Sequence, residues 1–130
     1  TSFGADGRTF CCHKRNLSTD RFCEISQRLK SVVIENKDFE NLIKVYDRPN
    51  ALFYCDPPYH STEKYYDIKF TEDDHLRLKN TLDHAKGKFV LSYNDDEFIR
   101  ELYKDYTIIS VSRQNNLSTG TYKEVIIKNF

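Results

Sequence analysis

The chain has 130 residues, 20 Lys+Arg against 20 Asp+Glu, 38% hydrophobic and 31% charged residues, and neither Met nor Trp. That length allows one domain, with a core carried largely by nine Phe and nine Tyr. No apolar run approaches the ~18 residues that suggest a membrane span, and Thr1-Ser2-Phe3-Gly4 lacks the basic-then-apolar order of a signal peptide. Zero net charge excludes a protein that coats nucleic acid by electrostatics alone.

The four glycines, Gly4, Gly7, Gly87 and Gly120, form no G-x-G, so a complete dinucleotide-binding half is not visible. With no Met anywhere, the chain reads as a processed piece of a longer protein. Charge is uneven: residues 1–30 hold Arg8, Lys14, Arg15, Arg21, Arg28 and Lys30 against Asp6, Asp20 and Glu24, a net +3 that leaves −3 for the remainder. A basic first quarter hints at a phosphate-facing surface, and a solvated helix and loop explains it equally well. Cys11, Cys12, Cys23 and Cys55 have no C-x-x-C spacing. Reduced intracellular thiols and no metal site are therefore expected.

From residue 31, strand and helix patterns alternate. Val32-Val33-Ile34 is a short β-branched run that reads as a strand, and Phe39, Leu42, Ile43 and Tyr46 follow at the spacing of an amphipathic helix. Pro49 and Asn50 place a loop at 47–50. Ala51-Leu52-Phe53-Tyr54-Cys55 is a continuous apolar run of the kind buried on both faces of a parallel sheet. Thr71 and Asp74 form a capping-box pattern ahead of Leu78, Leu82 and Ala85, a helix expected to run to Gly87. Phe89 to Tyr93 is the next strand, Asn94-Asp95-Asp96 a turn, and Phe98, Ile99, Leu102 and Tyr103 a second helix. Tyr106 to Val111 and Glu124 to Ile127 are the last strands, joined by a polar loop over 113–121 with no helix. This order predicts an α/β fold with a mostly parallel sheet and an antiparallel last strand.

Chemistry concentrates where the first long apolar run stops, at Asp56-Pro57-Pro58-Tyr59. The end of a buried strand is where open α/β sheets hold ligands. Asp56 offers a carboxylate and Pro57 a carbonyl; both accept hydrogen bonds. Two prolines supply no N–H to compete for them and fix the carbonyl's direction. Tyr59 adds a flat π face. Such a cage suits a planar ring bearing an NH2, as in a nucleobase. Accepting both amino hydrogens drives the nitrogen towards tetrahedral and frees its lone pair to attack an electrophilic methyl. A base in duplex DNA reaches such a cage only by leaving the stack. By itself, the same tetrapeptide also reads as a strand-terminating turn.

Leu52-Phe53-Tyr54-Cys55-Asp56-Pro57-Pro58-Tyr59 resembles the catalytic motif of Dam-like, D12-class DNA N6-adenine methyltransferases, S-adenosylmethionine-dependent enzymes often found in restriction-modification systems and phages. The stretches 33–43, 70–78, 91–94 and 124–129 are similar to the family's neighbouring strands and helices. The resemblance implies that residues 31–130 are the C-terminal part of a Rossmann-like methyltransferase domain and that residues 1–30 are the tail of its target-recognition region. It implies Asp56, Pro57, Pro58 and Tyr59 as catalytic residues holding a flipped adenine, with Asp38, Phe39 and Asp56 as contacts to S-adenosylmethionine. It further implies Lys14 and Arg15 as phosphate contacts on double-stranded DNA, in a cytoplasmic protein of bacterial or phage origin.

The family's aromatic-Gly-Gly cofactor loop and first two strands are absent from the sequence. Little or no activity is therefore expected of the isolated chain, and its open sheet edge calls for a partner chain or self-association. Asp38 also reads as a helix cap, and Asn94 as a turn residue. Two other readings stay open: methylation of cytosine N4 or of an RNA base, and a non-catalytic remnant or DNA-binding module.

Overall fold

A computed structural model describes residues 19–61, 70–114 and 121–130. The segment with Lys14, Arg15, Cys11 and Cys12, and the loop with Tyr65 and Tyr66, lie outside the described residues. The chain divides into two units, Thr1–Asn36 and Lys37–Phe130.

In the first unit, α1 spans Thr19–Leu29. Phe22, Ile25 and Leu29 recur at helical spacing on it and are exposed. The strand expected at Val32-Val33-Ile34 does not form: the three residues are exposed, Ile34 to 85%, and belong to no ladder among the described residues. β-Branched side chains favour extended backbone, yet a strand needs a neighbour for its N–H and C=O groups.

The second unit opens on α2, Phe39–Tyr46, capped by the Asp38 carboxylate, which accepts the Glu40 N–H at 3.0 Å. Asp47 closes the helix through its own N–H to the Ile43 carbonyl. The Asp47 carboxylate then accepts from the N–H groups of Lys86 and Gly87, each at 2.9 Å, tying the loop before β1, Leu52–Cys55, to the turn before β2, Lys88–Asn94. That turn needs Gly87, because a Cβ there would sit 2.9 Å from the Ala51 carbonyl oxygen.

Between these strands α3, Glu72–Asp83, begins on the expected capping box: Asp74 Oδ2 accepts the Thr71 N–H at 2.9 Å. It stops ahead of Gly87, with His84 as its cap. Asp96 caps the short α4, Glu97–Leu102, by accepting from the N–H groups of Phe98 and Ile99. β3, Thr107–Gln114, and β4, Thr121–Lys128, extend further into the 113–121 stretch than its polar composition suggests, pairing through Gln114 with Thr121.

The sheet order is β1-β2-β4-β3. β1 and β2 are parallel, and β4 is antiparallel to both β2 and β3. β1, β2 and β3 therefore run one way and the last strand is antiparallel to them, as expected; its place between β2 and β3 is decided by the fold. Phe89, Leu91 and Tyr93 of β2 and Val125 and Ile127 of β4 are fully buried with Leu82, Ile99 and Tyr103. Phe53 and Cys55 pair in register with Phe89 and Leu91 on this covered face. The expectation that β1 is buried on both faces fails. Its alternate residues Leu52 and Tyr54 are 63% and 67% exposed, because β1 is the edge strand and only one of its faces is packed.

Candidate active site

The Asp56-Pro57-Pro58-Tyr59 segment leaves the C-terminal end of β1 and is fastened by the ends of β2 and β4. Ser92 Oγ, nearly buried on β2, donates to Asp56 Oδ1 at 2.8 Å and holds the carboxylate in one rotamer. The Tyr59 hydroxyl donates to Glu124 Oε1 of β4 at 3.2 Å. Asn94, the last residue of β2, donates from Nδ2 to the His60 carbonyl at 3.1 Å. His60 Nδ1 donates to Asp96 Oδ1 at 2.9 Å, and its ring stacks on Phe98 with centroids 4.5 Å apart. Ser61, at φ 64, then turns the chain away in a left-handed conformation.

A cavity of about 430 Å3 follows the whole of β1. Phe39 and Leu42 of α2, Phe70, and Asp56, Pro57 and Pro58 line it, a mainly apolar wall with a carboxylate at one end. Asp56, Pro57, Pro58 and Phe39, picked from the sequence, thus meet at one cavity. Tyr59 instead packs towards Tyr93, ring centroids 6.4 Å apart. Asp38, beside Phe39, turns its carboxylate to Arg77 of α3, whose Nη1 donates to Oδ1 and Oδ2 at 3.0 and 2.9 Å. That contact, with the Glu40 N–H, holds the Asp38 carboxyl below the usual range. Burial pushes the Cys55 thiol up to about 11, so it lines the cavity as a neutral SH.

Residues 5–117 match the model of the D12 class N6 adenine-specific DNA methyltransferase family. The chain belongs to this family.

Two relatives show how this D12-class chain compares with longer proteins. It is 33% identical over 79 residues to the type II methyltransferase M.CviBI of Paramecium bursaria Chlorella virus NC1A, covering 60% of this chain and 30% of the relative. It is 30% identical over 109 residues to the retron Ec67 DNA adenine methylase of Escherichia coli, covering 79% of this chain and 37% of the relative. The chain spans about a third of the length of these curated relatives. Among the described residues, no helix is long and apolar enough to cross a membrane.

Four fastening residues escaped sequence reasoning: Ser92, Glu124, Arg77 and the His60–Asp96 pair's carboxylate. Ser92 did carry a signal, being a hydroxyl inside the apolar run Phe89 to Tyr93, where a buried polar atom needs a partner. Glu124 has a measurable effect on its own partner. Burial first, then the Glu124 carboxylate, push the Tyr59 phenol up to about 12, against about 10 for a free tyrosine. Between those values an unfolded chain sheds a proton that the folded one keeps, so this contribution to stability is full below about pH 10 and is lost as pH rises through 12. Glu124→Gln should lower the Tyr59 titration towards 10 while leaving the share due to burial. The wild-type-minus-variant difference in phenolate absorbance checks this; no difference near pH 12 would show that the carboxylate does not act on the phenol.

Proposed function

We propose that this chain carries the base-holding part of an S-adenosylmethionine-dependent enzyme that methylates the N6 amine of adenine in double-stranded DNA. The observation that carries this reading is the convergence of Asp56, Pro57, Pro58 and Phe39 on one cavity that runs along β1. In this reading the Asp56 carboxylate and the Pro57 carbonyl accept the two hydrogens of the target amine. Tyr59 offers its ring to the flipped base, and Glu124 and Ser92 keep Tyr59 and Asp56 in place. The freed lone pair would bond to the methyl as that group's bond to the cofactor's sulfur breaks, and the amine's released proton would pass to the Asp56 carboxylate and on to water.

The lining fits the cofactor's adenine, since Phe39, Leu42 and Phe70 form an apolar slot beside Asp56. Phe39 would pack on that ring and Asp38 would accept from its amine, with Asp56 nearby. When bound, S-adenosylmethionine supplies the electrophilic methyl. Lys14 and Arg15 are assigned to DNA phosphates, which position the duplex without reading its sequence. The outer edge of β1 has no strand beside it among the described residues, and a partner chain or a second copy is proposed to pair there.

Incubation with labelled cofactor and duplex DNA, followed by nucleoside analysis, tests the reading. N6-methyladenine is expected from a longer protein that joins this chain to the cofactor loop, and little or no transfer from the chain alone. With the longer protein, label in N4-methylcytosine would move the assignment to cytosine, whose ring also bears an exocyclic amine; DNA binding without transfer would favour a non-catalytic module.

A further inference from the structure

Asp38 and Phe39 share one neighbour that the proposed chemistry does not use. Arg77 extends from α3, and its guanidinium carbon lies 4.2 Å from the centroid of the Phe39 ring. Nη1 donates to both oxygens of Asp38 and, at 3.5 Å, to Glu40 Oε2; Nη2 donates to Asp74 Oδ1 at 3.0 Å. Asp74 is itself fixed by the capping box at Thr71. A rigid helix start thus holds a planar fork, and the fork holds both an aromatic face and a carboxylate. Phe39 still lines the cavity, so the guanidinium backs the ring without displacing it.

A helix-to-helix staple is a poor account of this arrangement, because Arg77 is more than a third exposed and exposed ion pairs add little stability. What four contacts on one guanidinium do achieve is direction. Asp38, Glu40 and Asp74 converge on it, and without it three like charges would turn apart. The N–H groups of Glu40 and Asn41 also face the Asp38 carboxylate, but its side chain stays 39% exposed, which leaves room for a ligand's N–H to approach.

We infer that Arg77 is a positioning residue for the adenine end of the cofactor pocket, aiming Asp38 and backing Phe39 so that the pocket selects a 6-amino over a 6-oxo purine. The inference rests on the assignment of Asp38 and Phe39 to the cofactor's adenine. Lys cannot replace Arg here, since one ammonium lacks the two separate nitrogens that serve Asp38 and Asp74 while the guanidinium carbon sits over the Phe39 ring.

The test uses adenosine and inosine as probes, titrated by chemical-shift perturbation against the wild-type chain, Arg77→Lys and Asp38→Asn. Wild type is expected to prefer adenosine about tenfold, the equivalent of one charge-assisted hydrogen bond. Arg77→Lys should reduce the preference to about twofold with an unchanged unfolding midpoint, and adding Asp38→Asn should lower it little further, as for residues acting as one unit. A preference kept near tenfold in Arg77→Lys would overturn the inference while leaving the adenine assignment intact. No preference in wild type would overturn the assignment, and the inference with it.

Discussion

Asp56→Asn is expected to slow methyl transfer to adenine by about 10²–10³-fold, the usual cost of removing one preorganised polar group that faces the reacting atoms. The substitution preserves volume and lets Ser92 Oγ keep its 2.8 Å donation to the remaining oxygen. The second oxygen becomes an NH2, so a donor meets the donor hydrogens of the target amine. Binding of the flipped base weakens, and the lone pair loses the acceptor that drew it out of conjugation. The effect belongs to the rate of the bound complex. Single-turnover methyl transfer by a longer protein that joins this chain to the cofactor loop, with enzyme in excess, therefore reads it directly, and a rate within about threefold of wild type would remove Asp56 from the chemistry. Unfolding of the same variant should stay close to wild type, since Asp56 lies beyond the last residue of β1.

The largest effect on stability is expected from Leu91→Ala, at about 2–5 kcal/mol. Leu91 is fully buried and pairs in register with Cys55 of β1 on one side and Ile127 of β4 on the other. Three strands would face the void, and β2 and β4, hydrogen-bonded on both sides, cannot easily close in on it. Set against the 5–15 kcal/mol that domains generally have, the loss is large enough to shift the urea midpoint strongly at unchanged slope. A loss below about 1 kcal/mol would mean that the layer repacks freely. Ser92 follows Leu91 directly, so loosening this strand also loosens the hydroxyl that holds Asp56.

Much of the second unit is legible in the linear chain because its signals are local. Asp38 caps a helix whose apolar residues recur at three and four; Thr71 and Asp74 close a box across three residues; Pro57 and Pro58 stop a strand. The antiparallel last strand follows from the lack of a helix between Tyr106 to Val111 and Glu124 to Ile127. Even the Asp56-to-Tyr59 segment is contiguous, and its residue types state what they can accept. Local pattern goes astray where the answer depends on a neighbour. Val32-Val33-Ile34 has the composition of a strand and joins no ladder among the described residues, and the Leu52 to Cys55 run cannot say that one of its faces stays open.

The amino-acid sequence by itself determined the elements of the second unit, the acceptor-rich Asp56-Pro57 pair and the D12-class family likeness, all carried by neighbours in the chain. Only the tertiary structure decided what holds those acceptors still. Ser92 reaches Asp56 across 36 positions, Arg77 reaches Asp38 across 39, and Glu124 reaches Tyr59 across 65. These contacts exist because β1 pairs with β2, because β4 is inserted beside β2 and because α3 folds back onto α2. A hydrogen bond is specified by a few ångströms and an angle, and sequence separation carries neither until the sheet has closed.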